Sequence, residues 1–181
     1  MGETLVTQGD ERLSLFAREL ISTKDGNKKI FVGGQELTFS GVRLYLEATG
    51  DRNPIHYKTS AAADFLKRQL PEGTVIVPGC MVLGIMLGIL DAAARSDGSQ
   101  RPAAVFRMDI SLEGGELRNP TLVCIDIPRT VRVYAKCISV RHVTEKSIVK
   151  IGFEVVLEEP LSPIPVTVAT GTVLVTFFHA L

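Results

Sequence analysis

The sequence predicts an α+β fold in which an antiparallel sheet wraps around one long apolar helix. Two observations carry that prediction. Residues 74–90, TVIVPGCMVLGIMLGIL, hold no charge. Pro78-Gly79 breaks the stretch and leaves a helix over 79–94 that is apolar nearly all round, so it demands a large apolar cover. Beyond Arg101 the chain changes to alternation in about four or five strands, each greasy on one face only. Wrapping that sheet around that helix satisfies both.

Each element follows from a local pattern. Residues 1–28 read as a polar N-terminal extension, irregular apart from a short amphipathic helix at LSLFAREL (13–20), and 29–181 as a single domain. A short strand is expected at 29–32, with Gly33-Gly34 as a turn. Ser40 is expected to cap a helix through GVRLYLEA, with Leu44, Ala48 and Val42 on its apolar face. Gly50 stops that helix, the loop DRNPIH follows, and a second short helix runs through SAAADFLKR. Asp97-Gly98 and Pro102 close the central helix with turn chemistry. Phe106, Met108, Ile110 and Leu112 alternate as a strand, and 121–127 is rich in β-branched residues. Val131, Val133, Ala135 and Cys137 mark another strand; Val149, Ile151, Phe153 and Val155 the next; 166–178 the last. Pro120, Pro128, Pro160, Pro163 and Pro165 stand where strands start, end or bend. Arg141-His142 and Lys146 flank a solvated turn between two of them.

Composition narrows the function classes. A chain of 181 residues with 45 % apolar and 22 % charged residues suits one globular domain and argues against wholesale disorder. Lys plus Arg and Asp plus Glu each number 20, so there is no cationic excess for nucleic acid. Cys80, Cys124 and Cys137 form no CxxC pair, and an odd count argues against a disulfide framework; a reducing, cytoplasmic setting fits. The start, MGETLVTQGDERLSLF, lacks the basic-then-apolar order of a secretory signal. The uncharged run falls short of the roughly 20 apolar residues of a spanning helix, so it is expected to be a buried core helix, with no membrane partner.

The chemistry concentrates in ATGDRNPIHYKTSAA, residues 48–62. Pro54 disfavours helix at Asn53, so the segment is expected to be a bent loop. Such a bend can aim the carboxylate of Asp51 and the imidazole of His56 at one small volume, where together they hold and activate a water. Ordinary turn chemistry, in which Asp and Asn bond the local backbone, accounts for the same residues.

GDRNPIH, followed by a small-residue helix and an apolar IVPG segment, resembles the signature of the MaoC-like hydratases and dehydratases. The resemblance spans residues 37–112 by motif and continues loosely through the strands, where ATG at 169–171 is a weak further sign. It implies a hot-dog fold and the addition or removal of water across the α,β-double bond of an enoyl thioester. It implies that Asp51 and His56 are the catalytic pair, that Asn53 supports their loop, and that the Gly79 amide binds the thioester oxygen. That last role has independent physical sense, because the first amides of a helix lack internal partners at the positive end of its dipole. A helix start after Pro78 explains Gly79 equally well. The resemblance further implies a homodimer, an acyl-CoA or acyl-carrier-protein substrate, and no cofactor beyond the coenzyme A or phosphopantetheine that the substrate carries.

Two departures bear on the substrate. Pro78 and Cys80 stand in IVPGC where many hydratases of this type have IVHGM, and a helix serine of some members has no counterpart in LGIMLGIL. Both positions are expected to border the substrate. A proline before the helix glycine is found in the carrier-protein dehydratases of this fold, but their helix acid is Gly84 here. The departures motivate one rival, a non-catalytic acyl-thioester-binding module; a second rival is a thioesterase, whose thiol release would need Cys80 or Asp51. Cys80 reads as an inert buried thiol or, for thioester cleavage, as a nucleophile paired with His56. Gly84 and Gly88 are expected to pack tightly against the wrapped sheet. His142 and His179 lie apart with no zinc-ligand spacing, so no metal is expected. Arg107, Arg118, Arg129 and Arg132 are candidates to meet the phosphates of coenzyme A or a pantetheine arm. No P-loop or dinucleotide fingerprint is present.

Overall fold

A computed structural model describes residues 13–95, 104–111, 122–124, 127–158 and 165–178, with backbone alone for 104–111 and 122–124. Leu112, Thr121, Arg118, His179, Asp97-Gly98 and the prolines at 102, 120, 160 and 163 lie outside the described residues. So do the side chains of Phe106, Arg107, Met108, Ile110 and Cys124.

The order is α1 (Leu15–Ser22), β1 (Ile30–Leu37), α2 (Phe39–Thr49), a 3-10 turn (Pro54–His56), α3 (Thr59–Leu66), β2 (Thr74–Ile76), α4 (Gly79–Arg95) and then β3 (Ala104–Ser111), β4 (Leu122–Cys124), β5 (Arg129–Val143), β6 (Lys146–Glu158) and β7 (Val166–Phe178). Five strands form one antiparallel sheet in the order β1-β5-β6-β7-β3. A separate antiparallel ribbon pairs β2 with β4.

The alternation read from the sequence is the packing. Val131, Val133, Ala135 and Cys137 of β5 stand opposite Leu157, Val155, Phe153 and Ile151 of β6, and all eight are buried. Against them α4 sets Val82, Ile85, Met86, Leu90 and Ala94, buried in the same core. A fully buried side chain of this size contributes about 1.5–3 kcal/mol, so this layer dominates the stability. α1 joins it through Ala17 and Leu20, with Leu13 just before the helix. Its last turn is tied to the sheet by buried Thr23, whose hydroxyl donates to Leu20 O (2.6 Å) and accepts from the Cys137 N–H (2.8 Å). That amide lies where β5 bulges between Cys137 and Ser139.

Several expectations are corrected. Gly33-Gly34 is no turn: β1 runs through it with a bulge between Phe31 and Gly33. A Cβ on Gly33 would sit 2.9 Å from Ile89 Cγ2, so the glycine serves close approach of β1 to α4. The cap of α2 is Thr38, which accepts from Gly41 N (3.1 Å), and not Ser40. Starting the helix two residues earlier buries Val42 and Leu46, one turn apart, and leaves Leu44 67 % exposed. Residues 74–76, read only as part of an apolar run, form β2. Gly84 and Gly88 face outward, and a Cβ on either meets nothing within 4 Å among the described residues. The sheet covers the opposite side of the helix, where the large side chains lie. No described helix is long and apolar enough to cross a membrane; α4 has 17 residues.

Candidate active site

Gly50 ends α2 in the left-handed region (φ 69°), a conformation that suits a residue without Cβ. The chain then turns sharply into Asp51. Two hydrogen bonds fix that residue, and a cation–ring contact braces one of the donors. Its Oδ1 accepts from Asn53 N (2.9 Å), its backbone carbonyl accepts from the Tyr57 hydroxyl, and the Arg43 guanidinium lies 4.9 Å over the Tyr57 ring. Asn53 is itself a cap: its Oδ1 accepts from Ile55 N (3.4 Å), and its carbonyl accepts from His56 N (3.0 Å). Pro54 opens the 3-10 turn, where its missing N–H costs nothing. The turn chemistry and the convergence of acid and imidazole are one arrangement.

His56 is buried, its side chain 10 % exposed against 31 % for Asp51. Its Nδ1 lies 2.6 Å from the Ile76 carbonyl oxygen, a partner that can only accept. Nδ1 is therefore the donor, and Nε2 of the neutral ring is an acceptor. Nε2 faces Asp51 Oδ2 across 3.8 Å, too far for a direct hydrogen bond. A water at ordinary distance from both atoms would see them at about 85°. Ile76 belongs to β2, three residues before Gly79, so the imidazole is tethered to the strand that leads into α4.

α4 starts at Gly79. The Pro78 carbonyl accepts from the Met81 and Val82 amides (3.0 and 3.3 Å), while the Gly79 and Cys80 N–H groups have no acceptor within the helix. Cys80 is exposed rather than buried among apolar neighbours, because it falls on the outward stripe that continues through Gly84 and Gly88. The Tyr45 hydroxyl donates to its Sγ at 3.0 Å. That bond holds the Tyr45 phenol above its ordinary pKa, with burial and the charges of Cys80 and Asp51 acting in the same direction. Tyr45 was not among the residues expected from sequence; the available signal was an aromatic six positions before Asp51, in the helix that feeds the loop.

Asp51, Asn53 and His56 thus share one loop, and Pro78, Gly79 and Cys80 one helix start, linked through the Ile76 carbonyl. The remaining candidates go elsewhere. Arg132 pairs with Glu158 (2.8 Å) and lies over the Phe31 ring, and Arg129 begins β5. His142 bonds the buried Ser147 hydroxyl (2.8 Å) beside the β5–β6 hairpin. A cavity of about 30 Å³ (Phe16, Leu87, Leu90, Phe177) and a groove of about 620 Å³ between α1, β1 and α4 open farther along the helix. Neither is lined by Asp51, His56 or Gly79.

No protein-family model matches the chain, and no curated protein does. Solved structures do. A monoamine oxidase regulatory protein from Archaeoglobus fulgius is similar with a TM-score of 0.61 and 22 % identity, over 85 % of this chain and 90 % of that one. The (R)-hydratase from A. caviae involved in PHA biosynthesis gives 0.53 and 15 % over 83 % and 98 %. A MaoC-like dehydratase gives 0.51 and 24 %, over 96 % of this chain but 46 % of its own. An antiparallel sheet packed on one long helix, matched over most of the chain by these structures, is the hot-dog fold that the MaoC-like dehydratases and the (R)-hydratase share.

Proposed function

We propose that the chain hydrates or dehydrates an acyl thioester, adding or removing water across the α,β-double bond of an enoyl-CoA or enoyl-carrier protein. The observation that supports this best is the 3.8 Å gap between two acceptors, Asp51 Oδ2 and His56 Nε2. A water between them donates both protons and turns a lone pair outward. As its oxygen bonds to Cβ, one proton passes to the pair and the π electrons move onto the thioester oxygen. The Gly79 N–H stabilises that oxygen as charge develops, more than it stabilises the ground-state carbonyl. Nε2 of the neutral ring holds no proton, so the proton that reaches Cα is one the pair has first taken from the water. Both water hydrogens end on the product, and the pair is restored; dehydration is the reverse. Asn53 holds the loop, and Pro78 and Cys80 border the thioester. Coenzyme A or phosphopantetheine enters with the substrate. Strands β1 and β3 are the edges of the described sheet, which suits a homodimer joined at an edge.

Crotonyl-CoA and longer enoyl thioesters, followed by loss of the conjugated absorbance, test the reading. Asp51→Asn is expected to lower kcat by about 10²–10⁴. Undiminished turnover in that variant overturns the pairing. Acyl binding without turnover by the native chain makes it a binding module, and release of free thiol dependent on Cys80 makes it a thioesterase.

A further inference from the structure

The phenol of Tyr45 is not used by the chemistry above, yet it reaches the same helix start. Its ring rises from the last turns of α2, whose Val42 and Leu46 are locked in the core, and its hydroxyl ends 3.0 Å from Cys80 Sγ. Cys80 is one peptide beyond Gly79, whose N–H at the helix start has no acceptor within the helix. The helix that carries Tyr45 also leads through Gly50 into Asp51, and the charge of that carboxylate acts on the phenol. A sulfur is a weak acceptor. A strong donor resting on it is a donor without an adequate partner, and an oxygen gaining negative charge nearby would draw it away, since hydrogen bonds to charged acceptors are about twice as strong as neutral ones.

We infer that the Tyr45 hydroxyl is a second donor to the thioester oxygen, turning from the Cys80 sulfur toward the oxygen held at the Gly79 amide as charge builds there. This rests on the hydratase reading and adds a catalytic residue to it. The phenol's raised pKa keeps it protonated, and therefore a donor, through the neutral range. Among the described residues the hydroxyl's one hydrogen-bond partner is an exposed sulfur, so its removal is expected to leave the core intact.

The test uses Tyr45→Phe in the full chain, alone and combined with Asp51→Asn. In single turnover of crotonyl-CoA, Tyr45→Phe is expected to lower kcat by on the order of 10², with KM within about twofold and no loss of thermal stability. The Asp51→Asn protein is expected to hold a dienoyl-CoA without turning it over. Polarisation of its carbonyl shifts the dienoyl absorbance to the red, and the double variant is expected to lose most of that shift. An undiminished red shift in the double variant, or an unchanged kcat in Tyr45→Phe, overturns the inference while leaving hydration by Asp51 and His56 standing. No hydration by the native chain and no red shift with Asp51→Asn overturns the hydratase reading itself. A fall in melting temperature that accounts for the lost rate assigns Tyr45 a structural role and overturns the inference.

Discussion

His56 does two things with two nitrogens, and substitution can separate them. Nδ1 satisfies the carbonyl of the buried Ile76, and Nε2 faces Asp51 Oδ2 across 3.8 Å. His56→Ala removes both. Leaving a buried carbonyl without its donor costs about 1–3 kcal/mol; at roughly 2–4 °C per kcal/mol for a chain of this size, the melting temperature should drop by about 2–12 °C. Asn carries its amide nitrogen near the place of Nδ1 and nothing at Nε2. His56→Asn should therefore recover most of the lost stability by keeping the bond to Ile76 and still lose about 10²–10⁴ in kcat. Urea or thermal unfolding by circular dichroism gives the first quantity, and enoyl-CoA hydration the second. His56→Asn as unstable as His56→Ala would show that the Ile76 bond does not hold the ring, and His56→Asn with near-native turnover would show that Nε2 does not act.

Other substitutions probe the frame around the site. Thr23→Val keeps the shape but strands the buried Cys137 amide, and should cost about 1–3 kcal/mol by urea unfolding; Thr23→Ser, which keeps the hydroxyl, should cost clearly less. Gly33→Ala pushes a Cβ against Ile89 Cγ2 and should cost about 1–3 kcal/mol, with a large part recovered when Ile89→Ala removes that methyl; equal losses in single and double variants would refute the contact. The hydrogen bond from Lys29 (2.7 Å), with that from Thr167, holds Glu154 below its ordinary pKa against the opposing effect of burial. A depressed carboxylate pKa gives stability that is present above the unfolded value near 4.3 and lost as pH falls through the folded value. Lys29→Ala should thus lower stability by under about 1 kcal/mol at neutral pH and by less in acid, as melts at pH 7 and pH 3 would record.

The sequence made the candidate loop at 51–56 and the central helix legible because both are written in local chemistry. Gly50, the Asn53-Pro54 pair and Pro78-Gly79 act on their own backbone angles, and the uncharged run of α4 declares its own burial. What escaped depends on partners distant in the chain. The orientation of His56 is set by a backbone carbonyl 20 residues later, and any residue type at Ile76 would present that carbonyl. Gly33-Gly34 resembled a turn because the reason for glycine there is Ile89 on another element. Thr38 and Ser40 both carry cap hydroxyls, and the choice between them is made by burial of Val42 and Leu46. Cys80 was read from its apolar neighbours, whereas its place on the helix face decides its exposure.

The tether of His56 lies in β2, three residues that among the described residues pair only with the three of β4, in a ribbon separate from the five-stranded sheet. Short ribbons open at a lower free energy than the core to which they are attached. Mild heat or denaturant would then misalign the imidazole while the wrapped sheet stayed whole. The durability of the proposed site is set by six residues of backbone ladder, and the durability of the molecule by the wrapped sheet.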